Sequence, residues 1–273
     1  MEQNLQNPTG RRRTEHKHHP PEPRKSTQPG FFRIVTYNIH KCRGLDRRVR
    51  PQRIAEVLTE IDADIIALQE VWNLEDKGSE DDQARFIAGQ LELDYRFGEN
   101  RRLDGGGYGN MILSRFPFVA TENYDLSHRS REERGCLRAD VRLNDGAILH
   151  VYNVHLGTAF TERGYQGRRL VEEQILTAED LSGPRILLGD FNEWRRGLAS
   201  RLLSAHFVCR DAGAALRRRR TYPAFLPLLH LDHIYFDDSL QLRHAVLHKS
   251  RTAIIASDHL PLVADFCLRQ SPV

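Results

Sequence analysis

Polar residues carrying oxygen or imidazole donors recur where short apolar runs end in this chain. Asn38 follows "VTY", Glu70 follows "IIALQ", Asn153 and His155 close "HVYNVH", and Asp190 and Asn192 close "ILLGDFN". Asp232 stands inside "LLHLDHIYF", and Ser257, Asp258 and His259 precede the last apolar run. Each alone reads equally as a cap, a turn former or a satisfied polar group, because Asp, Asn and Ser close turns through their own side chains. Recurrence at six run ends points to one shared site. Carboxylates and carboxamides without clustered cysteines favour a hard cation such as Mg²⁺ or Mn²⁺ over zinc. Histidines among acids can steady phosphoryl oxygens or move a proton near neutral pH. This inventory matches phosphoester hydrolysis by metal-assisted water attack.

Such residues need rigid strands that deliver them to one place. "FFRIVTYN" (31–38) and "DIIALQE" (64–70) read as buried strands, and "PQRIAEVLTEI" (51–61) spaces Ile54, Val57, Leu58 and Ile61 for one helical face, with Pro51 suited to the first turn. The acidic stretch 76–91 reads as a loop entering a helix, and "GNMILSRFP" as a strand stopped by Pro117. "CLRADVRL" and "ILHVYNVHL" flank "NDG", a hairpin signal. Residues 166–181 place Leu170, Val171, Ile175 and Ala178 on one helical face, and a further helix is expected near 197–204. "LLHLDHIYF", "LRHAVLHK" and "LPLVADFCL" give the last strands. Hairpin-linked and crossover strands mixed with helices predict sheets packed face to face with helices outside.

With 273 residues, 40% of them hydrophobic, the chain has material for one large domain, expected over 31–269 with no internal linker or repeat. The net charge of +3 is concentrated in the first thirty residues and in "RRRR" at 217–220, so it says little about partners. Residues 1–30 are polar, charged and Pro-rich, which predicts a disordered tail; they hold no apolar stretch resembling an export signal. Cys42, Cys136, Cys209 and Cys267 stand far apart, the pattern of reduced thiols in a cytoplasmic protein. No apolar run approaches the roughly 18 residues that span a bilayer, and a monomer is expected.

The series "TYNIH", "LQEV", "GNMILSRFP", "NVHLG", "GDFN", "LDHIY" and "SDHLPLVADF" resembles the endonuclease/exonuclease/phosphatase superfamily, the DNase I-like group, across nearly all of 31–269. The resemblance implies an α/β fold, a four-layer α/β/β/α sandwich with the site at one edge of two central sheets. By position it implies that Glu70, Asn38 and Asp258 form the metal shell for Mg²⁺ or Mn²⁺. Asp190 would orient the attacking water and Asn192 would hold phosphate or nucleophile. His259, kept cationic by Asp232, would bind the phosphoryl oxygens, and His155 would aid the leaving group. His40 stands where some repair-type endonucleases carry an acid, which makes abasic-site repair less attractive. Arg134 and His233 are further candidate phosphate contacts, with a solvated surface arginine and a structural histidine as the alternatives.

The segment "RRRRTYPAFLPLLHLDHIYF" leads into the run holding Asp232 and is the clearest specificity signal. Its arginines and apolar residues suit a lipid phosphodiesterase at an anionic membrane surface, or equally a nucleic-acid backbone with stacked bases. The bland alternative is an apolar core beside solvated arginines. The same segment and "TYNIHK" are most similar to small bacterial family members associated with phospholipid-synthesis genes, which favours a phospholipid or small phosphodiester and a location peripheral to the inner membrane. DNA or RNA cleavage is the alternative activity. A scaffold that kept the fold and lost turnover is the alternative class, opposed by the complete set of acids and histidines.

Overall fold

The computed structural model describes residues 30–269, except 75–81, 104, 173–174, 177–180, 195–196, 207–208 and 217–219. The expected tail and three of the four consecutive arginines therefore lie outside the described residues.

In chain order the elements are β1 (Phe31–Asn38), α1 (Pro51–Ile61), β2 (Ile65–Leu74), α2 (Gln83–Leu91), β3 (Asp94–Leu103) and β4 (Gly106–Ser114). Next come β5 (Phe118–Asp125), β6 (Gly135–Arg142), β7 (Ile148–His155), α3 (Phe160–Glu172) and β8 (Arg185–Asp190). The last are α4 (Leu198–His206), β9 (Cys209–Asp211), β10 (Asp232–Asp237), β11 (Leu240–Leu247), α5 (Arg251–Ala256) and β12 (Leu262–Leu268). They build two six-stranded sheets, ordered β11-β12-β1-β2-β4-β3 and β5-β6-β7-β8-β10-β9.

Apolar residues of both sheets, among them Phe32, Ile34, Ala67, Leu137, Val151, Ile186, Leu188 and Phe266, form the core between the sheets. A second cluster packs α1, α2 and α5 on the outer face of the first sheet, and a third packs α3 and α4 on the second. The layers are α/β/β/α. The central strands β1 and β8 are covered on both faces, which is why they read as continuous apolar runs. Asn153 joins the sheets across the core: its Nδ2 donates to Leu68 O (2.9 Å) and Met111 O (3.0 Å), and Gln69 Nε2 donates to its Oδ1 (2.7 Å).

Several boundaries differ from the sequence expectation. β2 does not end at Glu70 but runs on to Leu74 through a bulge between Leu68 and Val71. The helix expected over 166–181 lies at 160–172; Ile175 and Leu176 are buried in a turn closed by Leu176 N–H donating to Leu170 O, and Ala178 lies outside the described residues. The strand expected from Leu228 begins at Asp232, because Thr221 and Tyr222 pair with Leu229 in a loop instead. β3, β5, β9 and α5 had no expected counterpart.

Candidate active site

Sheet polarity gathers the predicted residues. β1 and β2 run parallel, as do β7 and β8, so Asn38, His155 and Asp190 leave their strands on the same edge. β10 and β12 run antiparallel to these neighbours, so Asp232 at the start of β10 and the Asp258–His259 turn before β12 reach that edge from the other end. Asp232 lies directly opposite Asp190, and His155 beside it. Two local distortions complete the set. Glu70 takes φ +60° inside the bulge of β2, where an extra residue turns the side chain toward the edge. Gly189 takes φ +140° against β7, and a Cβ there would run into Val154 O; only glycine lets β8 hold Asp190 this close to His155.

Asp190 is the centre of the site. Its Oδ2 accepts from Asn38 Nδ2 at 3.0 Å and faces His259 Nε2 at 3.6 Å and His155 Nε2 at 3.7 Å, while Oδ1 accepts from Asn192 N–H at 2.9 Å. Burial raises the Asp190 carboxyl above the usual carboxylate range; His259 opposes that shift and Asp232 adds to it. A carboxylate so poised can accept a proton near neutral pH. His259 Nδ1 donates to Asp232 Oδ2 at 2.8 Å. Burial alone would depress this imidazole, but the charges of Asp232 and Asp190 lift it to about 10, so it is a fixed cation.

His155 is the opposite case. Burial, followed by the charge of Arg134, pushes its pKa well down, and Arg134 Nη1 donates to its Nδ1 at 2.8 Å. The same Nη1 lies 3.3 Å from Nε2, the atom that faces Asp190. His155 is thus placed at the pocket between Arg134 and Asp190. Arg134 is itself buried and also held by Glu132 Oε2 at 2.9 Å.

Asn38 Nδ2 also donates to Glu70 Oε1 at 3.1 Å. Glu70 Oε2 faces Lys41 Nζ at 3.9 Å, and Tyr108 is a further hydrogen-bond partner of Glu70; Asp258 Oδ1 faces His40 Nδ1 at 3.5 Å and accepts from Ser257 Oγ at 3.4 Å. Glu70 and Asp258 line the pocket with carboxylate oxygens, donors that fit a hard divalent cation, while Asn38 lies between them with its Oδ1 accepting from His40 N–H at 3.0 Å. Asp190, Asp232 and His259 form another group close enough to hold a metal, and Asp232 Oδ1 is buried without a hydrogen-bond partner among the described residues. An ion there would compete with the Asp232–His259 hydrogen bond. All these side chains except Asp232, His40 and Ser257 line one pocket of about 340 Å³.

Lys41, Tyr108, Glu132 and Trp194 also line it and were missed in the sequence. Tyr108 sits among the glycines of "GGGYGN" and Trp194 just beyond "GDFN", so both flank motifs that did point here. His233 does not line the pocket. Adjacent residues of a strand face opposite ways, so with Asp232 inward, His233 Nδ1 faces Asp211 Oδ2 at 3.1 Å on the outer face, beside His230.

The sequence model of the endonuclease/exonuclease/phosphatase family matches residues 35–259, the span that carries every residue of this pocket. The chain belongs to the endonuclease/exonuclease/phosphatase family. Members of this family are generally metal-dependent phosphoester hydrolases. The uncharacterized protein YbhP of Escherichia coli (strain K12) is 31% identical over 263 residues, covering 89% of this chain and 98% of that protein. A family member from Beutenbergia cavernae superposes with a TM-score of 0.76 at 22% identity, covering 90% of this chain and 73% of the other. The human Nocturnin catalytic domain with bound sulfate gives 0.69 at 20% identity, covering 89% and 96%. At these identities the solved endonuclease/exonuclease/phosphatase structures speak for the fold.

Proposed function

We propose that this protein is a phosphodiesterase dependent on Mg²⁺ or Mn²⁺, acting on a phospholipid or small phosphodiester by attack of water on phosphorus. The observation that carries the reading is the convergence of Asn38, His155 and His259 on Asp190 Oδ2 in one pocket with the carboxylates of Glu70 and Asp258. Glu70, Asp258 and Asn38 would hold the cation, which when bound supplies positive charge to a phosphoryl oxygen.

The chain's own groups do the rest. Asp190 takes the proton of the attacking water, its basicity raised by burial. Asn192, fixed by Nδ2 donation to Leu156 O at 2.9 Å, keeps its Oδ1 for that water. His259 opposes the charge growing on the phosphoryl oxygens, and His155 stands beside the same group. The pocket is also lined by Tyr222, Leu229, Leu231 and Trp194, with the Tyr222 ring 5.0 Å from that of His259. A phosphoester with an aliphatic neighbour fits such a lining better than a bare phosphate does.

The test is hydrolysis of bis-p-nitrophenyl phosphate with Mg²⁺ or Mn²⁺. Turnover is expected, with complete loss in EDTA and on Asp190→Ala. Unchanged turnover in that variant would refute the assignment. A panel of plasmid DNA, single-stranded RNA and phospholipid vesicles ranks the substrates; cleavage of nucleic acid with no action on lipid would replace the lipid reading.

A further inference from the structure

The mouth of the pocket is rimmed by large apolar side chains that the fold leaves outside. Trp194 is 71% exposed, Phe225 61%, Leu226 56% and Leu228 54%. Three of them sit at the tip of one loop whose two legs, Tyr222 and Leu229, line the pocket. That loop is tied down: Tyr222 N–H donates to Leu229 O (3.1 Å), Leu228 N–H to Tyr222 O (2.7 Å), and the buried Ala224 donates to Asp258 O (2.7 Å). A loop anchored onto Asp258 and still holding three large apolar side chains in water marks a contact surface.

The chemistry of the rim selects the occupant. A nucleic-acid backbone needs a row of cations; among the described residues the pocket wall offers Lys41, Arg134 and His259 against Glu70, Glu132, Asp190 and Asp258, and Arg134 and His259 are already engaged by Glu132, His155 and Asp232. A protein seated on the rim would cover the opening through which substrate enters. A lipid bilayer presents phosphoesters directly above an apolar phase, the same order in which this molecule presents a phosphate pocket and an apolar tip. Trp194 has the amphipathic ring that settles at such an interface.

We propose that Phe225, Leu226, Leu228 and Trp194 insert into a lipid surface and hold the pocket over headgroup phosphates, making the substrate a bilayer-borne phosphoester. This inference rests on the phosphodiesterase reading of the pocket. Sedimentation with vesicles of phosphatidylcholine, alone and mixed with phosphatidylglycerol, tests it in the wild type and in the triple variant Phe225→Ser, Leu226→Ser, Leu228→Ser. Wild-type protein is expected to bind, with a blue shift of tryptophan fluorescence that disappears in Trp194→Phe. The triple variant is expected to lose at least about tenfold in vesicle affinity while keeping its turnover of soluble bis-p-nitrophenyl phosphate and its circular dichroism spectrum. Vesicle binding unchanged in the triple variant, no binding by the wild type, or plasmid DNA or RNA binding that the triple substitution abolishes would each overturn the proposal. Absence of bis-p-nitrophenyl phosphate turnover in the wild type would instead sink the phosphodiesterase reading, whatever the vesicles show.

Discussion

Strand β10 carries two acid–imidazole groups back to back, and their contrast separates chemistry from carpentry. On the inner face Asp232 holds His259 and leaves Oδ1 buried without a partner among the described residues, with a second carboxylate, Asp190, close by. On the outer face Asp211 accepts from Gly213 N–H through one oxygen and pairs with His233 through the other. His233 lies flat on Tyr235 (centroids 5.3 Å apart) and meets Phe191 edge-on at 5.3 Å. The outer group, with His230, is also close enough to hold a metal, but both Asp211 oxygens are bonded within the fold and it fastens the edge strand β9 to β10; the inner one leaves Asp232 Oδ1 without a partner among the described residues. Residue types are alike in both, so the distinction lies in saturation.

The contrast breaks most decisively at Asp190. Asp190→Asn is expected to lower kcat for bis-p-nitrophenyl phosphate by roughly 10³-fold, as loss of a proton acceptor does, with the thermal midpoint kept or raised. Asp232→Asn comes next: His259 loses the nearest charge that sustains its protonation, and roughly 10²-fold in kcat should go with it. On the outer face His233→Phe keeps the ring packing, so kcat should stay within about twofold, a value typical of sites that touch no substrate. A large loss there would erase the distinction between the two faces.

The smallest expected effect is thermodynamic. Burial acts to raise the Asp211 carboxyl, yet the hydrogen bond and charge of His233, with His230 and Gly213 N–H, bring it below its ordinary value. A carboxyl depressed on folding stabilises the fold above its unfolded value, about 3.9, and loses that contribution as pH falls through the lower folded value. Asp211→Asn should therefore cost about 1 kcal/mol near neutral pH in urea unfolding, and the gap to the parent should close in acid. A gap that persists in acid would assign the loss to packing.

Most of the inner group was legible because each member ends or begins an apolar run, and a buried run that stops at a ligand-type residue is visible in one dimension. Glu70 was identified while its local structure was not: a bulge leaves no mark in "IIALQEVWNL" except that the pattern continues past it. β3 and β5 were missed because edge strands are half solvated and polar, "DYRFGENRRL" and "FVATENYD" lacking the apolar signal of a central strand. His233 was misread because proximity to Asp232 along the chain is separation in space once strand alternation is applied. Lys41 and Trp194 reach the pocket from turns, whose side-chain directions follow from tertiary placement, and Tyr108 reaches it from the glycine-rich start of β4, which carries little apolar signal.

Asn153 sits one strand position from Val154, against which Gly189 is packed, and clasps backbone on either side of the bulge's base. Slippage of one sheet over the other would rupture that clasp at Leu68, Gln69 and Met111 simultaneously, so heating should extinguish turnover and cooperative structure in a single event rather than by gradual loosening of the mouth.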